Sequence, residues 1–279
     1  LSKHPKRLAK QEWIFNWWRK AIGKKLLSDV TPPLIAKMRD ELLSENTSKG
    51  TLRTPSTVNR YLAALSAAFT AAVNEFQWAE ENPLRKISKP PENKGRLRYL
   101  SHDEIDRLLT ACKASPSPIL FPLVLAALCT GCRQGELLNL RVKDIDFLRR
   151  HIHLLETKNG DIRVVPLPST AAETLQQHVE GKSPFEYVFP AKHALSKSGK
   201  AAPSKAFVRA VEAAGIEDFR FHDLRHTTAS YLAMNGASPS EIAAVLGHRT
   251  LHMVKRYAHL SEQHVANVLE KSVGTFLPR

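Results

Sequence analysis

The sequence predicts a mainly α-helical protein with a small antiparallel β-sheet, divided into two domains. Three observations carry this. Apolar residues recur at helical spacing through most of the 279 residues. The clearest β-alternating runs gather between 142 and 167, around an Asn-Gly turn. Between them, ISKPPENKGRL (87–97) sets two prolines and a glycine among charges, which suits neither helix nor strand and marks a linker. The expected boundaries are a helical domain over 1–87, a linker over 88–97 and an α+β domain over 98–279.

In the first domain, residues 6–24 place Leu8, Ile14, Phe15, Trp18 and Ile22 at helical spacing, and Trp13 and Trp17 add bulk. Gly23 ends that helix. Thr31-Pro32-Pro33 opens a second by cap and proline, with Ile35, Met38, Leu42 and Leu43 as its apolar stripe. Residues 45–54 read as a loop. Thr54-Pro55 starts a third helix, with Val58, Tyr61, Leu62, Leu65, Phe69 and Val73 on one face and alanines that allow close packing. Asn82-Pro83 closes the block.

The second domain begins at Tyr99-Leu100. Ser101 with Glu104 forms a capping box. Residues 118–130 are apolar throughout and predict a buried central helix ending at Thr130-Gly131. Arg133 opens the next helix, 133–140, and Glu136 stands three residues on, where its carboxylate can brace the guanidinium. Strands are expected over 142–147, 151–155 and 162–167. The Lys158-Asn159-Gly160-Asp161 turn puts Lys158 on a hairpin tip. A helix from Ser169, a short strand at Val188-Phe189, a mobile loop over 194–205 and a helix over 203–214 lead to the most informative stretch, 221–259.

There, His222 and Arg225 are three apart, so one helical face carries an imidazole and a guanidinium. The planar fork of arginine suits two-point contact with a phosphate. The helix stops at Asn235-Gly236. Ser238-Pro239-Ser240-Glu241 caps the next, which ends at Gly247, directly before His248. A short segment over 250–257 then delivers Tyr257. A helical H-x-x-R alone is an ordinary solvated face; the case rests on the set. His222 and His226 also stand at a zinc spacing, but Asp223 occupies the place where the metalloprotease pattern needs Glu, and no third ligand is indicated. No metal is expected. The tail, 261–273, sets Val265, Val268 and Leu269 along one apolar stripe of a short helix.

The chain carries 41 Lys/Arg against 27 Asp/Glu, a net charge of +14, which calls for a polyanionic partner. Residues 1–95 hold +8 of it (17 Lys/Arg against 9 Asp/Glu). The longest apolar run, 119–129, contains Pro122 and falls short of the ~18 residues of a membrane span. No secretory signal is legible, so a cytoplasmic protein is expected. The first residue is Leu, which suggests a trimmed chain. Three cysteines fit a reducing compartment, and Cys129 and Cys132 read as small core residues beside Arg133.

Three ordered blocks turn these features into a resemblance. TGCRQGELLNLRVKDID (130–146), FHDLRHTTASYLAMNGAS (221–238) and LGHRTLHMVKRYAHL (246–260) resemble the arginine box, the H-x-x-R box and the nucleophile box of the tyrosine recombinases, the phage-integrase family. The resemblance implies a SAM-like core-binding domain followed by an α+β catalytic domain. It also implies strand cleavage by Tyr257 through a 3′-phosphotyrosyl link, without metal, nucleotide or other cofactor. Arg133, Arg225 and His248 then hold the phosphate, Lys158 is the general acid and His222 the candidate general base, with Glu136 in support. A phenol ionises near pH 10, so only about one in a thousand is phenolate at pH 7 and the positive surroundings matter.

Double-stranded DNA with specific recombination sites is the implied partner. The implied assembly is a tetrameric synapse of protomers that are monomeric or weakly associating when free, aided by DNA-bending accessory proteins; such proteins often carry a further N-terminal arm-binding domain, ahead of where this sequence begins. Arg249 and Val254 depart from the common family pattern, where serine and threonine often stand. A mobile-element or prophage integrase is the favoured reading. A Xer-like resolvase, strand relaxation like that of a type IB topoisomerase and a non-catalytic DNA-binding regulator stay open.

Overall fold

The computed structural model describes residues 5–47, 50–92, 96–154, 163–190, 204–248 and 250–276. The chain divides into two compact units, Leu1–Gly95 and Arg96–Arg279.

The first unit is helical. Helices α1 (Pro5–Ile22), α2 (Pro32–Ser44) and α3 (Pro55–Asn74) are followed by a 3-10 turn at Pro83–Lys86. Their stripes meet in a core that includes Ile14, Trp18, Ile35, Leu42, Tyr61 and Phe69. The Trp18 indole donates to the Tyr61 carbonyl at 2.9 Å, which gives a buried N–H its partner. Trp13 and Trp17 stand edge-on to the Tyr61 ring. Pro32 starts α2 without help from Thr31, whose side chain makes no capping bond, whereas Thr54 caps α3. Of the six α3 alanines, only Ala64 and Ala72 are buried, so most of that small-residue face does not serve this core. The side chain of Leu8 lies outside the described residues.

The second unit starts with α4 (His102–Lys113), capped reciprocally by Ser101 and Glu104 as expected. Helix α5 (Leu120–Thr130) is the buried centre: Leu120, Leu123, Val124, Ala126 and Ala127 have no exposed surface. Helix α6 (Gln134–Asn139) follows. The first half of the stretch expected as a strand over 142–147 is a 3-10 turn, Val142–Asp144, because Asp144 folds back to accept the Arg141 backbone N–H at 3.0 Å. Only Ile145–Asp146 remains as β1. It pairs antiparallel with β2 (His151–Leu154), and β2 pairs with β3 (Arg163–Pro166), in the register Ile145↔Ile152↔Val165. The turn expected at Lys158, residues 194–203 of the expected loop and Arg249 lie outside the described residues. Val188-Phe189 is no strand. Tyr187 forms a lone bridge with Arg141 and the Val188 N–H bonds the Leu140 carbonyl, while both side chains of the pair are fully buried.

Helices α7 (Ser169–Val179), α8 (Ser204–Ala213), α9 (Phe221–Met234) and α10 (Pro239–Leu246) follow. Two 3-10 segments, Leu251–Met253 and Lys255–Ser261, then lead into α11 (Glu262–Phe276). A small second core joins α9, α10 and the 3-10 segments through Ala229, Ala233, Ile242, Leu246, Val254 and Tyr257. Among the described residues, no helix is long and apolar enough to cross a membrane.

Candidate active site

Two helix starts and two helix ends build the site. Helix α5 ends at Gly131, whose φ of +61° suits glycine; a Cβ there would also lie 2.7 Å from Leu246. The turn releases the Gly131 carbonyl, which accepts from Arg225 Nη1 at 2.8 Å. Helix α10 ends likewise at Gly247, φ +64°, where a Cβ would strike the Arg163 side chain at 2.9 Å. The Gly247 carbonyl faces Arg133 Nη2 at 3.4 Å, and His248 emerges beside it.

Arg133 is the N-cap residue of α6. Its backbone N–H donates to Glu136 Oε2 at 2.8 Å and its Nη1 to Glu136 Oε1 at 2.7 Å, so the bracing expected from the spacing is present. Glu136 is buried, and its Oε2 also accepts from Arg163 Nη2 at 2.8 Å. One carboxylate thus fixes two guanidiniums. Arg163 bonds the Val245 carbonyl as well, tying β3 to α10.

Arg225 is 3% exposed, and its Nη2 has no hydrogen-bond partner among the described residues. A buried guanidinium donor without a partner is costly and fits an anion that is to arrive. Burial, followed by the charge of Arg133, pushes its pKa down to about 10. It remains a cation at neutral pH. His248 Nδ1 is likewise buried without a partner, and burial followed by Arg225 and Arg133 pushes this imidazole down to about 4. At pH 7 it is therefore neutral, with one N–H to donate. His222, on the first turn of α9, is exposed, and partial burial of its ring, ahead of the Arg225 charge, lowers its pKa.

Tyr257 is 1% exposed, set in the second small core. Burial raises its pKa, against the pull of Arg256 and Arg225. The imidazole that meets its phenol is that of His226, not His222: His226 Nδ1 lies 2.6 Å from the Tyr257 hydroxyl. The His222 and His226 rings stand edge to face, 5.2 Å apart. Among the described residues, no three His, Cys, Asp or Glu side chains gather as metal ligands. Cys132 is buried and Cys129 half-buried, and burial raises both thiols, which disfavours thiolate chemistry.

Arg133, Glu136, His222, Arg225, His248 and Tyr257 are thus drawn into one neighbourhood, and Lys158 lies outside the described residues. His226, Arg163 and Arg256 join the site without being among the residues expected there. His226 lies four residues after His222, a spacing that suggests only a zinc ligand. Arg163 lies 27 residues from Glu136, with no local pattern to join them. Arg256 carried a cue in its place beside Tyr257, and its charge acts on His222, His226, His248 and Tyr257.

The arginines thus cluster around a buried phenol, on a mainly helical unit with a three-stranded sheet. The profile of the phage integrase family matches residues 98–264, and that of the phage integrase N-terminal domain matches 4–89. The chain belongs to the phage integrase family, the tyrosine recombinases. It is 35% identical over 257 residues to the shufflon-specific DNA recombinase of Escherichia coli, covering 90% of this chain and 64% of that protein. It is 32% identical over 262 residues to the integrase of Salmonella phage P22, covering 87% and 66%. The chain therefore spans slightly less than two thirds of either relative.

In fold it is similar to the Tn1549 transposon integrase in complex with circular intermediate DNA (TM-score 0.71, 20% identity, 91% of this chain and 89% of that one). It is also similar to a lambda integrase dimer bound to a COC′ core site (TM-score 0.67, 22% identity, 89% and 90%).

Proposed function

We propose that this chain is a site-specific DNA recombinase of the integrase type, which cuts and rejoins DNA strands for the integration and excision of a mobile element or prophage. The observation that carries the reading is the gathering of Arg133, Arg225 and His248 beside the buried phenol of Tyr257, with donors on Arg225 and His248 that have no partner among the described residues. Tyr257 attacks phosphorus: its oxygen forms a bond to phosphorus as the bond to the 5′ oxygen breaks. Arg133 and Arg225 hold the non-bridging oxygens as charge builds, and His248 donates a further hydrogen bond. Each such donor is worth about 10²–10³ in rate. Glu136 positions Arg133. His222, three residues before Arg225, lies on the phosphate side. Lys158 is assigned the protonation of the departing 5′ oxygen. The phosphotyrosyl bond retains the energy of the broken one, so the chemistry needs neither metal nor nucleotide.

The partner is double-stranded DNA, gripped by both basic units, as the DNA in the structures of the Tn1549 and lambda integrases supports. The first unit is assigned as the core-binding domain and the second as the catalytic domain, acting in the cytoplasm. On paired sites we assign a tetrameric synapse, aided by DNA-bending proteins, from protomers that associate weakly when free.

The test is covalent capture on a nicked half-site. The wild-type chain is expected to form a protein–DNA adduct that survives denaturation. Tyr257→Phe keeps the ring, binds the same DNA and forms none. An adduct in that variant overturns the assignment, and relaxed circles without recombinant products from the wild type redirect it to a topoisomerase.

A further inference from the structure

The hydroxyl of Tyr257 has a single hydrogen-bond partner among the described residues, His226 Nδ1 at 2.6 Å. We propose that His226 is the group that takes the phenolic proton when Tyr257 attacks. The inference rests on the reading of Tyr257 as nucleophile and adds a catalytic residue to the set read from the sequence.

The contact is short for a neutral pair, and both partners are buried, Tyr257 at 1% and His226 at 8% exposed. A buried hydroxyl has to place its proton on an acceptor. A neutral imidazole has one bare nitrogen and one N–H. Were Nδ1 the protonated one, the phenolic proton would have no acceptor among the described residues. The tautomer with bare Nδ1 satisfies the pair. The phenol ring cannot easily drift from that contact, because Ala229, Ala233, Leu246 and Val254 form the core around it.

Burial, together with the charged groups around it, keeps the His226 imidazole unprotonated. On its own helix it meets His222, Asp223 and Arg225; from the segment packed against that helix come Arg256 and Tyr257. Burial, then His222 and Arg256, hold its pKa at about 4, with Asp223 opposing them. Such a weak base does not ionise a resting phenol whose own pKa is raised. It does not need to. As the O–P bond forms, the phenolic O–H becomes strongly acidic, and transfer to the imidazole runs downhill within the attack. The phosphodiester's own negative charge also favours the imidazolium. The step balances. The Tyr257 oxygen keeps the electron pair of its O–H bond and bonds phosphorus, and His226 Nδ1 gains the proton. The 5′ oxygen leaves with its pair and takes a proton from the general acid. Religation returns the His226 proton to the phenol. His222 makes no hydrogen bond to the phenol, which separates the two imidazoles into a phosphate-side group and a tyrosine-side group.

The experiment is single-turnover cleavage of a nicked half-site by the full chain across pH 6–9. Its variants are His226→Asn, whose amide oxygen can accept the phenol hydrogen bond but not the proton, and His226→Ala. Thermal melting and half-site binding verify that both are folded. The wild-type rate is expected to be nearly flat with pH. Both variants are expected to cleave at least about 10²-fold more slowly at pH 7, since a positioned base contributes about 10²–10⁴. Their rates should climb about tenfold per pH unit, because phenolate must then form unaided. Free imidazole should partly restore His226→Ala. A 5′-bridging sulfur, which removes the need for a general acid, should not rescue either variant.

Two results overturn the proposal with the nucleophile reading intact: His226→Asn cleaving within about threefold of wild type, or both variants slowed with the flat pH profile retained. A wild-type chain that forms no adduct overturns both readings together.

Discussion

Glu136 divides its oxygens between Arg133 Nη1 and Arg163 Nη2, while its Oε2 also accepts the Arg133 backbone N–H. Its side chain is 6% exposed, that of Arg163 10% and that of Arg133 29%. Removing the carboxylate leaves two guanidiniums facing the cationic pocket without a counter-charge, and breaking a buried ion pair from one side costs on the order of 3 kcal/mol. Glu136→Ala is expected to lower the urea midpoint accordingly and to slow cleavage more than it weakens DNA binding. Glu136→Gln, which keeps an acceptor, should lose less of both. Unchanged unfolding curves for Glu136→Ala would refute this role. Half of the cluster was legible. The three-residue spacing of Arg133 and Glu136 announces contact on a helical turn, and the structure has it. The other half, Arg163 at the start of β3, reaches Glu136 on α6, and no periodicity encodes that pairing. The same holds for His226 and Tyr257, 31 residues apart and joined only by the packing of two helical segments.

Helix α9 carries His222 on its first turn and Arg225 at the start of its second, so its start sets their aim. Asp223 secures that start: its Oδ2 accepts the Arg220 backbone N–H at 2.8 Å and pairs with Arg96 Nη2 at 2.8 Å. Thr227 adds a second tie, bonding the Asp223 carbonyl at 2.9 Å while accepting the Leu100 N–H at 3.1 Å. Losing a capping acceptor costs about 1 kcal/mol, and the lost ion pair with Arg96, which keeps Asp218 as a partner, adds to that. Asp223→Ala is expected to destabilise the chain by about 1–3 kcal/mol in denaturant unfolding. Cleavage should fall by at least tenfold while half-site affinity stays near wild type. A variant with full cleavage would show that the helix start holds without it. Elements whose ends are written locally are legible in the sequence: α4 and α10 begin at their capping boxes, α9 stops at Asn235-Gly236 and α10 at Gly247. Elements set by tertiary pairing are not. The run over 142–147 has strand-like alternation, but Asp144 closes a turn first. Val188 and Phe189 have strand composition, yet serve as buried plugs beside a single bridge.

At the scale of the whole molecule, α11 poses the question of assembly. It follows Tyr257 by five residues and runs fifteen, from Glu262 to Phe276. Its first turn is seated on its own unit, with the His264 ring lying against Gly236 at the end of α9. Further along, Val265, Val268 and Leu269, the stripe legible in the sequence, are 58%, 48% and 62% exposed. A fifteen-residue helix is marginal in water without a packed face, so a stripe left open to solvent favours a partner surface. The proposed synapse supplies one: a second protomer on the paired site. Seating that stripe on a neighbour would make the placement of Tyr257 depend on assembly. The double substitution Val265→Asp, Leu269→Asp leaves the His264 anchor and every proposed catalytic side chain in place, and adds charge only where the partner would pack. Half-site binding, read by gel shift, should therefore stay within about twofold of wild type, apart from a modest loss expected from two added negative charges near DNA. Synapsis of paired sites and recombinant product should fall at least tenfold, and adduct formation on an isolated half-site should fall less than recombination does. Full recombination by the charged variant would mean that α11 closes on its own unit and that the protomers are joined through another surface.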